Sequence, residues 1–522
     1  MKIAIDVTPV LPGGETGGAM QVLMELLRGF CVKSKNDQFI LLTSYFNHDV
    51  FREFEQYGMQ RWCIRKEPSA LVQRFEPMVA LLGKVLRNNV FRAHRNVLRN
   101  AGVDLLFCPM TDPIYHEHGI PTVSIVHDLQ HLYYPHFFSR EEIDHRTNFY
   151  SMVKKKVDFF ICVSSFTRDT VINKLGTSAD KTITIHNCVH ARLNRATPRL
   201  FKVTLVKYGL QDRIYCIYPA NFWPHKNHLM LLSALNIFIH KFPQYDMHMV
   251  LTGSSLKNEF SLRKVCRQMG LTDRVHFLGY LNEEELAAVW AQAHFLIFPS
   301  LFEGFGIPLV EAMMYGKPIL ASNVTSIPEA AGEAALYFDP RKPDEIAEAM
   351  RQIMSDEGLY RRLVEAGRKQ LERYRYEDMV EQYLEVLHRA AEGGSVAEYA
   401  EVTGIYPDCW AGEQIEVGLG AGKGKRVFTL RGYIPDWHPA REVKLKITLP
   451  DGRKKNYVVH RDEELKVSEN LPEQAGIMKI AVSGGFRPDN GDIRTLTFLV
   501  DEATVINTHG GVKLYEFSGQ RG

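Results

Sequence analysis

A chain of 522 residues is too long for one hydrophobic core, and at roughly 100 to 200 residues per domain it implies three or four units. With 63 basic against 61 acidic side chains, a formal net charge of +2, it is no globally basic nucleic-acid binder, and none is expected as a partner. No apolar run approaches the roughly 18 residues of a spanning helix, and Met1 to Asp6 reads as a strand rather than a leader. Cys31, Cys63, Cys108, Cys162, Cys188, Cys216, Cys266 and Cys409 are scattered without C-x-x-C pairs. The expectation is therefore reduced, buried thiols in a cytoplasmic protein that nothing exports.

Taken in order, KIAIDVTPV (2–10) predicts a buried opening strand. Gly13, Gly14, Gly17 and Gly18 then lead into an amphipathic helix, a strand-loop-helix unit without the G-x-G-x-x-G fingerprint. Taken singly, these glycines need serve only a tight turn. QFILLTSY (38–45) is a second strand. Residues 78–99 follow at helical spacing with Lys84, Arg87, Arg92, Arg95 and Arg99 and no acid, which fits a solvated basic face or a dock for anionic lipid or a phosphate-bearing acceptor. DLLFCP (104–109) and TVSIV (122–126) are strands, the second ending directly in His127 and Asp128. A histidine at the carboxyl end of a parallel strand stands where open α/β sheets bind ligands, although a His-Asp pair also serves as a structural hydrogen bond. VDFFICVSSFTRDTVINKLG (157–176) predicts strand, cap and helix, with Ser164 or Ser165 and Thr167 as caps or as hydroxyls for a phosphate or acceptor. KTITIHNCV (181–189) is another strand, and the polar run 191–200 reads as the link between two halves, which ends the first domain near residue 195.

The second half restarts with a strand, a turn and a helix over 213–242, and Lys226 in that turn is placed to reach a diphosphate or to lie on the surface. Strands at 247–254, 274–280 and 294–300 alternate with helices, 283–293 among them. This alternation predicts parallel sheets with helices on both faces, and ligand motifs on turns of both units place a site in a cleft between them. The apolar run 295–298 reads as a short buried strand, which gives way over 299–308 to a Gly-rich turn and then to a helix starting near Pro308. Gly304 and Gly306 allow close backbone approach, and the helix N-terminus favours an anion. Glu303 falls in the turn and Glu311 in the first helical turn, with seven residues between them.

Residues 391–402 change composition and read as a linker. Beyond them RVFTLRGYI (426–434), EVKLKITLP (442–450), KNYVVH (455–460), GIMKIAVSG (476–484) and RTLTFLVDEATVI (494–506) alternate apolar and polar, with turns at Pro450-Asp451-Gly452 and Asp489-Asn490-Gly491. That pattern predicts a small β-sandwich or jelly roll over 403–522. Trp410, Tyr433 and Trp437 fit core packing, an intersubunit contact or a sugar platform.

The EGFGIPLVE stretch (303–311) resembles the E-x7-E signature of retaining, nucleotide-sugar-dependent glycosyltransferases of family 4. VHDLQHLYYP (126–135) and YPANFWPHKN (218–227) resemble bacterial mannosyltransferases of surface polysaccharide synthesis. The resemblance covers roughly residues 1–390; the C-terminal part is similar to β-domains appended to bacterial glycosyltransferases. It implies an α/β GT-B fold: an acceptor domain over 1–195 and a nucleotide-sugar donor domain over 196–390, both Rossmann-like and facing across a cleft, plus the β-sandwich. It further implies that Glu303 contacts the donor sugar and that Glu311 holds the ribose hydroxyls. The backbone of Gly304, Phe305, Gly306, Ile307, Pro308 and Leu309 would lie along the donor, with Gly306 to Leu309 receiving the diphosphate. His127, beside Asp128, would approach the donor sugar, and Gly17 and Gly18 the donor phosphate or the acceptor. Where the family commonly carries an arginine, five residues ahead of Lys226, this chain has Asn221, so Lys226 is left to neutralise the diphosphate with help from His225 or Asn227.

The chemistry implied is transfer of a hexose, mannose in first place, from a nucleoside diphosphate donor such as GDP-mannose to a glycan or lipid-linked acceptor. A helix N-terminus, Lys226 and turn amides suffice to neutralise the leaving group, and no D-x-D or His/Cys cluster marks a metal site, so no metal and no further cofactor are expected. Glu303 is then a positioning and electrostatic group rather than one of two paired carboxylates. Peripheral contact with the cytoplasmic membrane face would run through 78–99. An inactive GT-B protein that binds glycan or serves as a scaffold is the alternative, and a nicotinamide-dependent oxidoreductase is disfavoured by the missing fingerprint.

Overall fold

The structure, a computed structural model, describes residues 1–11, 17–66, 97–117, 120–188, 198–253, 256–392, 400–406, 409–419, 426–461, 463–472, 476–488, 495–507 and 510–516. Two compact units are present, one made of Met1–Leu175 with Thr184–His388, the other of Gly176–Ile183 with Arg389–Gly522. All eight cysteines are free thiols.

The first unit contains two parallel sheets. One orders its strands β3-β2-β1-β4-β5-β6-β7, where β1 is Lys2–Asp6, β2 Gln38–Ser44, β3 Gln60–Arg65, β4 Leu105–Cys108, β5 Thr122–Val126, β6 Phe159–Cys162 and β7 Thr182–Thr184. β4, β5 and β6 are buried along their whole length, which is why they read as unbroken apolar runs rather than alternating ones. Helices α1 (Gly18–Lys33), α2 (Arg140–Lys156) and α3 (Ser165–Leu175) connect them. α2 starts on a capping box in which Ser139 Oγ accepts from the Glu142 amide and the Glu142 carboxylate accepts from the Ser139 amide. The basic stretch 78–96 lies outside the described residues; only a single turn, Val97–Asn100, follows it.

The other sheet runs β10-β9-β8-β11-β12-β13, with β8 at Ile214–Pro219, β9 at Met247–Thr252, β10 at Val275–Gly279, β11 at Phe295–Phe298, β12 at Ile319–Ser322 and β13 at Ala335–Phe338. The direction of winding reverses between β8 and β11, and a crevice opens beyond the strand ends at such a reversal. Around it lie α4 (Pro198–Lys207), α5 (His228–Lys241), α6 (Leu256–Gln268), α7 (Glu283–Gln292), α8 (Ile307–Met314), α9 (Ile327–Ala331), α10 (Pro343–Ser355) and α11 (Glu357–Leu371).

The last helix, α12 (Tyr376–Ala391), returns to the first sheet. Tyr383 is fully buried with its ring 6.1 Å from that of Phe107 in β4, and Val380 packs where Gly29 of α1 has no side chain. Where the chain returns, Cys188 meets it: the Cys188 thiol donates to the Tyr374 carbonyl at 2.9 Å and its amide approaches the Met379 sulfur at 3.1 Å.

The second unit holds two antiparallel sheets, β14-β15-β20-β17-β18 and β19-β16-β21-β22. Their strands are β14 Ala400–Ile405, β15 Ala411–Leu419, β16 Arg426–Tyr433, β17 Glu442–Thr448, β18 Lys454–His460, β19 Leu465–Leu471, β20 Gly476–Ser483, β21 Leu499–Asn507 and β22 Gly510–Glu516. Ile415, Val417, Leu445 and Ile480 of one sheet and Phe428, Leu430, Val467 and Ala503 of the other share a single apolar core, the signature of a β-sandwich. Trp410 is buried against Trp437, whose own ring is 65% exposed.

Candidate functional site

Both parallel sheets present their carboxyl ends to one cleft of about 890 Å³. Gly17 and Gly18 follow β1, His127 and Asp128 follow β5, Asn221 and Lys226 follow β8, and Glu303 to Glu311 follow β11. Lys226 and Glu303 thus stand in the loops that follow the two strands flanking the reversal of winding. They meet: Lys226 Nζ donates to both carboxylate oxygens of Glu303, at 2.7 and 2.9 Å, with the two side chains 15% and 10% exposed. Each is fixed from behind. Tyr218 Oη donates to the Lys226 carbonyl at 3.0 Å, and Asn227, in a left-handed conformation, sends Nδ2 to the carbonyls of Pro299 and Pro340 at 3.1 and 2.8 Å. The Glu303 amide donates to Thr325 Oγ1 at 3.2 Å, and the fully buried Ser326 hydroxyl faces the carbonyls of Glu303 and Phe305 at 3.0 and 3.2 Å.

α8 begins one residue after Gly306, which takes φ +102° at the cap, and Pro308 occupies a first-turn position that needs no N–H. Its N-terminal turn lines the cleft beside Lys226, so one edge of the cavity carries a cationic ammonium and a helix start together. Leu309 differs from its neighbours: its side chain is fully buried, its amide donates to the Gly306 carbonyl at 3.0 Å, and it does not line the cleft. Phe305 is buried against the rings of His186 and Tyr374. Glu311 is 2% exposed and lies at the cleft's inner wall.

Across the cleft, His127 Nε2 donates to the Pro109 carbonyl at 2.7 Å. Burial holds this ring below the ordinary histidine range, so it is neutral near pH 7 and presents Nδ1 as an acceptor. Asp128 is turned into its own loop, where its carboxylate accepts from the Gln130 amide at 3.0 Å. Asn221 sits opposite Gly17, its Nδ2 3.9 Å from where a Gly17 side chain would begin, and a Gly18 side chain would meet Ile307 Cδ1 at 2.8 Å. At Gly304 a Cβ would lie 1.8 Å from the His127 carbonyl oxygen, so the two halves touch backbone to backbone at that point.

Two family models match the chain: Glycosyltransferase Family 4 over residues 17–193 and Glycosyl transferases group 1 over 205–370. The O-antigen chain mannosyltransferase B of Escherichia coli is 26% identical over 260 residues, half of this chain and 68% of that protein. A serotype-specific mannosyltransferase, WbdA, also of Escherichia coli, is 29% identical over 214 residues, 40% of this chain but only 26% of its own length. Among solved structures, Anabaena Alr3699/HepE in complex with UDP and glucose shares the fold at TM-score 0.55 and 20% identity, covering 74% of this chain and 99% of that one. The chain belongs to the GT-B glycosyltransferases.

In this GT-B glycosyltransferase several cleft residues were not signalled by the sequence. Trp223 and Tyr280, 41% and 60% exposed, line the side of the cleft formed by the second parallel sheet, with Gly253. Phe137, Phe138, Glu142 and Arg146 line the other side, the Arg146 guanidinium 4.6 Å above the Phe138 ring. Thr325 and Ser326, just ahead of α9, and Glu329 within it support the site from farther along the chain. Aromatic residues beside strand ends were the available signal for the first group; for the last, a non-glycine residue at φ +55°, Thr325, is visible only in three dimensions. Among the described residues no group of three or more His, Cys, Asp or Glu converges as a metal site, and no helix is long and apolar enough to cross a membrane.

Proposed function

We propose that this glycosyltransferase moves a hexose, mannose in first place, from a nucleoside diphosphate sugar to a glycan or lipid-linked acceptor in surface polysaccharide synthesis, with retention and without a metal ion. The observation that carries the reading is the Lys226–Glu303 pair beside the start of α8. It offers a cation for the leaving diphosphate and a carboxylate for the developing sugar cation at one spot. Without donor the two charges satisfy each other. With donor bound, the diphosphate takes Lys226 and the helix start, and Glu303 is released toward the sugar. The bond from the anomeric carbon to the phosphate oxygen breaks, the acceptor hydroxyl attacks from the same face, and its proton passes to the departing phosphate. Neutral His127, with Nδ1 as acceptor, orients a hydroxyl of the transferred sugar. Trp223 and Tyr280 supply aromatic surface for a nucleobase.

Mannose rests on likeness to mannosyltransferases that this chain matches only in part, and GDP as the nucleotide rests on the resemblance of 126–135 and 218–227 to bacterial mannosyltransferases. The deciding experiment screens purified protein against a panel of nucleotide sugars for donor hydrolysis and transfer. Turnover of GDP-mannose above all others supports the reading, and selective turnover of another donor replaces mannose with that sugar. Binding without any turnover favours an inactive glycan-binding GT-B protein, a reading motivated by Asn221 standing where the family commonly has an arginine. Unchanged turnover in excess chelator is expected, because Lys226 and α8 occupy the role a divalent ion would fill.

A further inference from the structure

The segment Ser164–Thr167, at the start of α3, receives contacts from the donor half along its whole length. Ser164 Oγ donates to the Gly304 carbonyl at 2.5 Å, and Thr167 Oγ1 lies 3.1 Å from the same oxygen. The amides of Ser165 and Phe166 donate to the two carboxylate oxygens of Glu329, at 2.7 and 3.1 Å, and His186 Nε2 bonds the first of those oxygens at 2.6 Å. Phe302, only 2% exposed, enters an aromatic socket made by Phe166, Tyr133 and Tyr134, at ring distances of 5.8, 5.4 and 6.2 Å. The cap hydroxyl therefore has two uses at once, accepting from the Thr167 amide at 3.1 Å while its proton holds the other half.

The residues gripped on the donor side are Phe302 and Gly304, the two neighbours of Glu303. We infer that Ser164–Thr167 is a closure latch and that Phe302 and Glu329 are positioning residues: the carboxylate of Glu303 reaches its working place only when Phe302 is seated and the Gly304 carbonyl is held. The inference rests on the transferase reading above. An opened cleft withdraws both flanks of Glu303 together, so donor binding by the second half alone persists while transfer stops. A helix N-terminus is satisfied by Glu329 rather than by substrate phosphate, which removes α3 from the donor-binding surface.

The test uses full-length protein with spin labels at two exposed positions on opposite halves, Asp144 and Arg361, in the presence of GDP and, separately, UDP. Distances are read by pulsed electron resonance, alongside transfer kinetics and GDP affinity. Phe302→Ala and Glu329→Gln are expected to lengthen and broaden the distance distribution and to lower kcat at least about tenfold, with nucleoside diphosphate affinity changed by less than about threefold. Thr167→Val, a milder change, is expected to act in the same direction and covers the case in which the larger truncation does not fold. Unchanged distances, or wild-type kcat in both principal variants, overturn the latch. A wild-type protein that turns over no nucleotide sugar overturns the transferase reading instead, and the distance measurement still decides the latch.

Discussion

Lys226 and Glu303 form a two-pronged ion pair across the reversal of winding between β8 and β11, joining residues 77 positions apart in the chain. Each member answers the charge of the other, so substituting one changes what the remaining charge does to a phosphate ligand. Lys226→Met leaves a carboxylate facing the incoming diphosphate, and GDP binding should weaken at least about tenfold. Glu303→Gln frees the ammonium, and GDP binding should tighten although transfer falls by at least about tenfold. Calorimetric titration of both variants gives the comparison; affinities moving in the same direction would falsify the competition between carboxylate and diphosphate.

Gly304→Ala tests whether backbone contact across the cleft is required. Its Cβ would fall 1.8 Å from the His127 carbonyl, an atom that cannot swing aside, whereas a Cβ on Gly18 meets only the tip of Ile307 at 2.8 Å. Transfer by Gly304→Ala should drop by more than about a hundredfold, and Gly18→Ala should lose less than about tenfold. The thermal midpoint of Gly18→Ala should stay near that of the parent, whereas Gly304→Ala should lower it, because backbone must shift to relieve the clash. Equal losses in the two variants would remove the distinction between rigid and flexible neighbours.

Ser326 offers a stability measurement. Its buried hydroxyl is shared by the carbonyls of Glu303 and Phe305, and the side chain does not cap α9, which begins at the next residue. Ser326→Ala leaves those carbonyls without this donor and should cost about 1 to 3 kcal/mol in denaturant unfolding of the first unit. A change within about 0.5 kcal/mol would show that the turn holds itself.

Acid sensitivity follows from histidines kept neutral. Burial, reinforced by the charge of Lys226, holds His225 down at about 2 and His228 at about 3, and burial first, with His248 beside it, holds His276 at about 4. In the unfolded chain these rings titrate near 6.5. Below that pH the unfolded state binds more protons than the folded one, so stability falls as pH drops from 6.5 toward each folded value. Asp6 acts in the opposite sense: burial raises it to about 7, the folded state binds its proton first, and its contribution to stability is lost as pH rises from about 4 through 7. The thermal midpoint should therefore decline on acidification below pH 6.5, and the decline should be shallower in His228→Gln. Parallel pH profiles for parent and variant would refute the assignment to His228.

The parallel-sheet cores and the Glu303–Glu311 turn were legible because they are local: an unbroken apolar run such as Leu105–Cys108 means a strand covered on both faces, and glycines at 304 and 306 mark a close approach whatever lies opposite. β3 is not legible, because an edge strand with Gln60, Arg61 and Arg65 around only three apolar residues, none of them fully buried, lacks a buried run. β12 and β13, four residues each, are too short to stand out from the segment that holds the short helix α9 between them. The sequence offers Ser164 or Ser165 as the cap of α3, and Ser164 fills that place, but its second bond reaches Gly304, 140 positions away, and no local pattern encodes that. The expectation at Leu309 concerns its backbone; its side chain faces the core, because the first helical turn points it inward.

The contact of Cys188 with Tyr374 and Met379 fixes more than a local turn. The chain leaves the N-terminal half at one of these points and re-enters it at the other, and the two are bonded side by side. Outgoing and returning segments therefore form one joint rather than two separate crossings. The ring of Phe305 lies 5.6 Å from that of Tyr374 and 5.8 Å from that of His186, so the joint is packed directly against the turn that carries Glu303. Repacking at Cys188 or Tyr374 is passed through a single ring to the residues beside that carboxylate.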